Sequence, residues 1–292
     1  MTEKDPLYSI CMINLNMAPT ISKAIRSVAV QLDEHFEIVV VDGGSSDESI
    51  EEIITLQNEF PIIRLHKLPR DKRRRIGADR NTSVELARGK YVLLNIDCDD
   101  YYAKHLQDWI YCFHLIEKHV GKDVLVSGEH INMIKKSLFI ELGGYKNIRF
   151  EDRDLWMRCA SLDKWVRWQH RDFVTRMERT TKQRLFKVFI ENAYGVLNDF
   201  QQGLTLRKFL MLQIRQLLQN TTTNAIIKTS YAIPAYIASR LLPRLNSDHD
   251  FDPISFSKYR FEGAKTLPQL VSVKKNVVVK KFINPESEHI FF

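Results

Sequence analysis

The chain has 292 residues, of which 44% are hydrophobic and 27% charged, with a net charge of +7. That length holds one large domain, or one domain with an appendage, and the apolar share is enough to fill a core. Four scattered cysteines, Cys11, Cys98, Cys112 and Cys159, make no CxxC pair, which speaks against a disulfide framework or a zinc site and for a reducing compartment.

The opening residues carry Glu3, Lys4, Asp5 and Pro6 and no apolar run, so no signal peptide is expected. Residues 8–15 (YSICMINL) read as a buried strand. Residues 20–30 follow with helical spacing: Ile21, Ile25 and Val28 share a face, and Thr20 is placed to cap it. Residues 36–41 (FEIVVV) form a second strand, ending at Asp42-Gly43-Gly44-Ser45-Ser46-Asp47. A helix over 47–60, a strand over 62–65, a helix over 80–88 stopped by Gly89, and a strand over 91–96 (YVLLNI) come next. Strands alternating with helices predict an α/β fold with a mostly parallel sheet. Ligands bind beyond the carboxyl ends of such strands. Asp42 and the Asp97/Asp99/Asp100 cluster both stand at strand ends, so one crevice should receive them.

Further along, helices are expected over 103–118, 135–142 and 151–160, with a short strand near 124–126. Residues 182–245 read as helical, broken near Gly203 and kinked at Pro234. Residues 271–282 (VSVKKNVVVKKF) are β-like. The expected division is an α/β domain over 1–180, basic amphipathic helices over 181–245, and a tail over 246–292. No stretch reaches the ~18 apolar residues of a membrane span. Between residues 164 and 244, however, 14 Lys/Arg face 4 Asp/Glu. Such a surface suits anionic lipid, phosphate or nucleic acid.

Four constellations carry chemistry. Asp97-Cys98-Asp99 offers two carboxylates at i and i+2, which suit an oxygen-seeking Mg²⁺ or Mn²⁺ completed by substrate phosphates; a solvated acidic turn is the bland alternative. In Val41-Asp42-Gly43-Gly44-Ser45-Ser46-Asp47, Asp42 can accept an N–H from a nucleobase, while Ser46 or Asp47 caps a helix. Glu151-Asp152-Arg153-Asp154 suits a helix dipole, or supplies a general base to an attacking hydroxyl. The run from Arg70 to Arg75 is either a solvated loop or a phosphate contact. No aromatic stacking set surrounds it, and the acidic crevice opposes nucleic acid.

Together these blocks resemble the GT-A fold of the inverting glycosyltransferase family 2, over about half the chain. The opening block departs from the family pattern, with Asn14-Leu15-Asn16-Met17 in place of Pro-Thr-Tyr-Asn. VDGGSSD, IGADRN, IDCDD and GGY followed by FEDRDLWMR are similar to the family's blocks in order. The resemblance implies that Asp42, Arg80, Asp97, Asp99 and Glu151 line a nucleotide-diphospho-sugar site. Asp42 would read the base, Asp97 and Asp99 would hold the divalent metal, and Asp152 would be the catalytic base. No QxxRW block is present: Arg167-Trp168 lacks the Gln. A single sugar transfer to a glycan or lipid-linked acceptor is therefore expected, rather than polymerisation. The enzyme is expected to be cytoplasmic, in peripheral contact with an anionic membrane face. The competing readings are a nucleotidyltransferase, which should show a Gly-rich loop where NLNMAPT stands, and a non-catalytic sugar-nucleotide or membrane-surface scaffold.

Overall fold

Strands β1 (Tyr8–Asn14), β2 (Phe36–Asp42), β3 (Ile63–Lys67) and β4 (Tyr91–Asp97) run parallel in the order β3-β2-β1-β4. The computed structural model describes residues 5–177, 185–218, 228–242, 251–271 and 282–292. Every residue of β2 is buried, as a central strand covered on both faces requires. Helices α1 (Ala18–Ala29), α2 (Ser49–Glu59) and α3 (Ile76–Leu86) connect these strands. Ile21, Ile25 and Val28 are fully buried with Ile10, Met12, Ile38 and Val40. Each such side chain contributes about 1.5–3 kcal/mol by leaving water.

The register places the strand ends side by side. Asn14 pairs with Asp42 across β1 and β2, and Ile13 pairs with Asp97 across β1 and β4. Between Ile10 and Met12 the β1–β4 register slips, so Leu93 and Ile96 are their partners. The extra residue in β4 coincides with Asn95 at φ 63°. A bulge of this kind bends a strand and re-aims its side chains beside a site.

Beyond β4 the sheet is mixed, with two antiparallel pairs followed by a parallel one. Strand β5 (Asp100–Tyr102) and helix α4 (Leu106–Val120) precede β6 (Leu125–Ser127), β7 (Asn132–Lys135) and α5 (Lys136–Glu141). Helix α6 (Glu151–Ser161), β8 (Trp165–Arg167) and β9 (Val174–Arg176) follow. The main sheet has the order β3-β2-β1-β4-β7-β6-β8, and β5 pairs with β9 in a separate two-stranded sheet.

The chain divides into two compact units, Met1–Thr180 with Gly263–Phe292, and Thr181–Glu262. This differs from the three-part division expected from composition. Residues 263–292 group with the first unit because Leu267, Val271, Ile283, Ile290 and Phe291 are buried in its core. In the second unit, α7 (Leu185–Gln201) and α8 (Leu206–Leu218) flank Gly203 at φ 95°. Val196, Phe200, Leu204, Phe209, Tyr231 and Ala235 form a core of its own. Pro234 does not kink a helix: it lies in the first turn of helix Ala232–Leu241, where its missing N–H has no helical partner to lose. The β-like run at 271–282 falls almost wholly outside the described residues. Among the described residues no helix is long and apolar enough to cross a membrane.

Candidate active site

The site forms where β1, β2 and β4 end. Asp42 is fully buried there and accepts four hydrogen bonds. Its Oδ1 accepts from the Gly44 and Ser45 N–H groups, both at 2.9 Å. Its Oδ2 accepts from Asn14 Nδ2 at 2.7 Å and Ser45 Oγ at 2.5 Å. Asp42 thus builds the turn that follows it. Gly44 is required in that turn: it sits at φ 92°, and a Cβ there would lie 2.6 Å from the Arg70 backbone. Ser45 Oγ also accepts from the Asn16 N–H at 2.9 Å, and Asn16 Oδ1 accepts from the Ser46 N–H at 2.9 Å. The departed NLNM block and the VDGGSSD turn therefore lock to each other.

The caps differ from expectation. Met17, without a side-chain cap, precedes α1, and Thr20 donates instead to the Cys98 carbonyl at 2.8 Å. Asp47 accepts from Ser49 Oγ and from the Ala18 N–H at 3.0 Å. These bonds outweigh its burial and hold its carboxyl below the usual range. The basic run is largely structural at one position. Arg74 pairs with Asp79 and donates to the Gly43 and Pro69 carbonyls, while Arg70, Lys72, Arg73 and Arg75 are exposed.

Arg80, buried on α3, links the end of β4 to the start of α6. It donates to Glu151 Oε1 at 2.8 Å and to Asp97 Oδ1 at 3.4 Å. Its guanidinium lies 5.6 Å from the Tyr145 ring centroid. Tyr145 in turn donates its hydroxyl to Asn95 Oδ1 at 3.0 Å, so the β4 bulge braces this platform. Burial raises the carboxyl of Glu151 against the opposing pull of Arg80. Burial likewise raises that of Asp97. Asp152 is half-buried in the first turn of α6, and its Oδ1 accepts from the Arg153 N–H at 2.7 Å. Asp154 is instead a structural partner of Arg158, at 2.8 Å.

The acidic cluster closes the site. Asp99 and Asp100 are buried, while the Asp97 side chain is 31% exposed. One guanidinium, that of Arg176 on β9, joins all three carboxylates. Its Nε reaches Asp100 at 2.9 Å, its Nη2 reaches Asp97 at 3.2 Å, and its Nη1 reaches Asp99 at 3.7 Å. Sequence spacing gave no sign of Arg176, which lies more than seventy residues from the cluster and meets it through the β5–β9 pairing of Asp100 with Arg176. The three carboxylates already enclose a cation, and all their donors are hard oxygens. That donor chemistry fits Mg²⁺ or Mn²⁺, which take one or two protein carboxylates and complete their shell with phosphate and water. The carboxylates are spread around the guanidinium rather than gathered on a point. Among the described residues, the group of three ligating side chains within 4.8 Å of one another is the exposed Asp33, Glu34 and His35. That group precedes β2, at the opposite end of the strand from Asp42.

The fold is that of the GT-A glycosyltransferases. S. aureus TarS in complex with UDP-GlcNAc aligns with a TM-score of 0.53 at 15% identity, covering 80% of this chain and 91% of that one. The mannosyltransferase PcManGT from Pyrobaculum calidifontis, in complex with GDP-Man and Mn²⁺, aligns at 0.52 and 15% identity, covering 98% and 88%. At that identity the likeness concerns the fold. Residues 9–134 match the model of glycosyl transferase family 2. The Methanocaldococcus jannaschii glycosyltransferase MJ1057 is 28% identical over 54% of this chain and 66% of its own length. The Mycobacterium tuberculosis PGL/p-HBAD biosynthesis glycosyltransferase is 33% identical over 32% and 36%. The chain spans less than two thirds of the length of these relatives.

Proposed function

We propose that this protein is an inverting, metal-dependent glycosyltransferase that moves one sugar from a nucleoside-diphosphate donor to an acceptor hydroxyl. The observation that carries this reading is the continuous network Asp99–Arg176–Asp97–Arg80–Glu151, which ends beside Asp152 at the carboxyl edge of the parallel strands. It joins a cation-holding cluster to a candidate base across the crevice where ligands of such sheets bind. The donors bound by TarS and PcManGT, UDP-GlcNAc and GDP-Man, support this substrate class, and the Mn²⁺ of PcManGT supports the metal.

Asp97 and Asp99 would hold the divalent ion, which when bound supplies charge neutralisation to a diphosphate leaving group. Arg80 orients Asp97 and Glu151. Asp42 acts by fixing the Gly43–Ser45 turn. It would meet a base only by exchanging the Ser45 hydroxyl for it. Asp152 takes the proton of the attacking hydroxyl, and attack opposite the departing diphosphate inverts the anomeric centre. Asp152→Asn is expected to lower transfer by about 10²–10⁴-fold with donor affinity retained. Loss of donor affinity in equal measure would remove the assignment.

A peripheral contact with an anionic membrane belongs to the same proposal. Ile233, Ile237 and Leu241 recur every four residues on helix Ala232–Leu241 and are all exposed, beside Arg240. Unit Thr181–Glu262 carries 11 Lys/Arg against 6 Asp/Glu. An apolar stripe with basic neighbours suits the headgroup boundary. Co-sedimentation with phosphatidylserine vesicles at low salt should occur, and should weaken in Ile237→Asp. Absence of binding by the wild type would remove the membrane contact and the lipid-linked acceptor it favours.

A further inference from the structure

We infer that Arg176 is a resident counter-cation of the acidic cluster, one that a divalent ion must displace and that then becomes free for the donor's diphosphate. This rests on the metal-site reading above. Asp99 and Asp100 are each 1% exposed, and carboxylates so buried need a positive partner. Arg176 supplies it with all three guanidinium nitrogens, spending Nε on Asp100, Nη1 on Asp99 and Nη2 on both Asp97 and Asp100. Among the described residues, the other basic groups facing the cluster do less. His130 stands 3.8 Å from Asp100 and is nearer to Asp172, at 2.9 Å. Arg80 reaches Asp97 alone within the cluster, at the oxygen that Arg176 does not bind.

Three features make Arg176 exchangeable rather than fixed. Its side chain is 55% exposed. It lies on β9, a three-residue strand whose described partner is β5 alone. Its bonds within the site run to the carboxylates themselves, so an ion that neutralises them removes its reason to stay. A guanidinium is also wider than a divalent ion such as Mg²⁺, which binds oxygen at about 2.0–2.1 Å. The spread carboxylates must therefore close inward when the ion replaces it. Arg176 is then left beside the ion with its charge unpaired, and a planar fork of donors suits a diphosphate better than any other side chain. The metal-free cluster is thus kept stable, and metal enters best together with the donor that gives Arg176 a new partner.

The test is titration of Mn²⁺ alone, followed by electron paramagnetic resonance, into wild type, Arg176→Met, Arg176→Lys and Asp99→Asn. With the competing cation gone, Arg176→Met should bind Mn²⁺ about tenfold tighter, and Arg176→Lys should fall between it and wild type. Asp99→Asn should lose binding. In thermal melts without metal, Arg176→Met should fall below wild type, because its carboxylates repel, and saturating Mn²⁺ should narrow the gap. Unchanged or weaker Mn²⁺ binding by Arg176→Met, with Asp99→Asn still impaired, overturns the counter-cation role and leaves the metal site standing. Wild-type-like binding by Asp99→Asn, or no Mn²⁺ binding by any form, overturns the metal site itself.

Discussion

Asn81 holds the Tyr145 peptide from both sides: its Nδ2 donates to the Tyr145 carbonyl at 2.7 Å and its Oδ1 accepts from the Tyr145 N–H at 2.8 Å. The pairing fixes α3 to the turn that precedes α6. It also sets the ring on which Arg80 rests. Asn81→Ala strands two backbone groups of a buried residue, each at about 1–3 kcal/mol. A loss of about 2–4 kcal/mol in urea unfolding is expected, together with a fall in kcat as Arg80 loses its platform. A variant with unchanged stability would show that solvent replaces both bonds.

Gly77, in the first turn of α3, faces the start of α6. A Cβ there would stand 2.5 Å from the Lys146 carbonyl and 3.2 Å from Glu151 Cβ. Gly77→Ala should push the start of α6, and with it Glu151 and Asp152, away from Arg80. Displacements near 1 Å cost about 10²-fold in rate where geometry is decisive. We expect kcat to drop by about ten- to a hundredfold with donor affinity changed much less, and steady-state kinetics separates the two.

At the other end of the sheet, Glu37 collects Ser9 Oγ at 2.6 Å, the Arg88 N–H at 2.5 Å and Arg64 Nη1 at 2.7 Å. Burial raises its carboxyl, but these partners outweigh burial and hold it below the usual glutamate range. Its contribution is therefore fully present above the unfolded value, about 4.3, and is lost as pH falls through the depressed folded value. Glu37→Ala should cost about 3 kcal/mol at neutral pH. The gap between wild type and variant should shrink below about pH 4. Denaturant midpoints across pH 2–7 give the answer, and a gap that is flat with pH would contradict it. Donor affinity of the folded variant should be unchanged, since Glu37 lies away from the crevice.

Much of the first half was legible because local rules and tertiary packing agree there. YSICMIN and FEIVVV are buried on both faces, so pattern and environment coincide, and Asp42 and Asp97 fall where strand ends put them. The fold class follows from that alternation. Strands β5, β7, β8 and β9 were not legible: three or four residues carry no period, and pairing partners decide them. Arg176 was invisible for the same reason, since its role depends on register with Asp100. The partners of Asp42 were not legible for a different reason. Its sequence context shows a carboxylate after a strand, but not that Asn14, Gly44 and Ser45 already occupy both oxygens. Thr20 read as a cap by position, yet the Cys98 carbonyl across the fold is its partner.

The proposed reaction depends on a metal-dependent donor site built on Asp97 and Asp99. The most direct measurement is calorimetric titration of UDP-, GDP- and dTDP-sugars into the protein with and without Mn²⁺, repeated with Asp99→Ala. We predict that one nucleotide class binds, that Mn²⁺ strengthens it, and that Asp99→Ala abolishes the Mn²⁺ effect. Binding that is indifferent to both Mn²⁺ and Asp99, or no binding of any donor, would contradict the account.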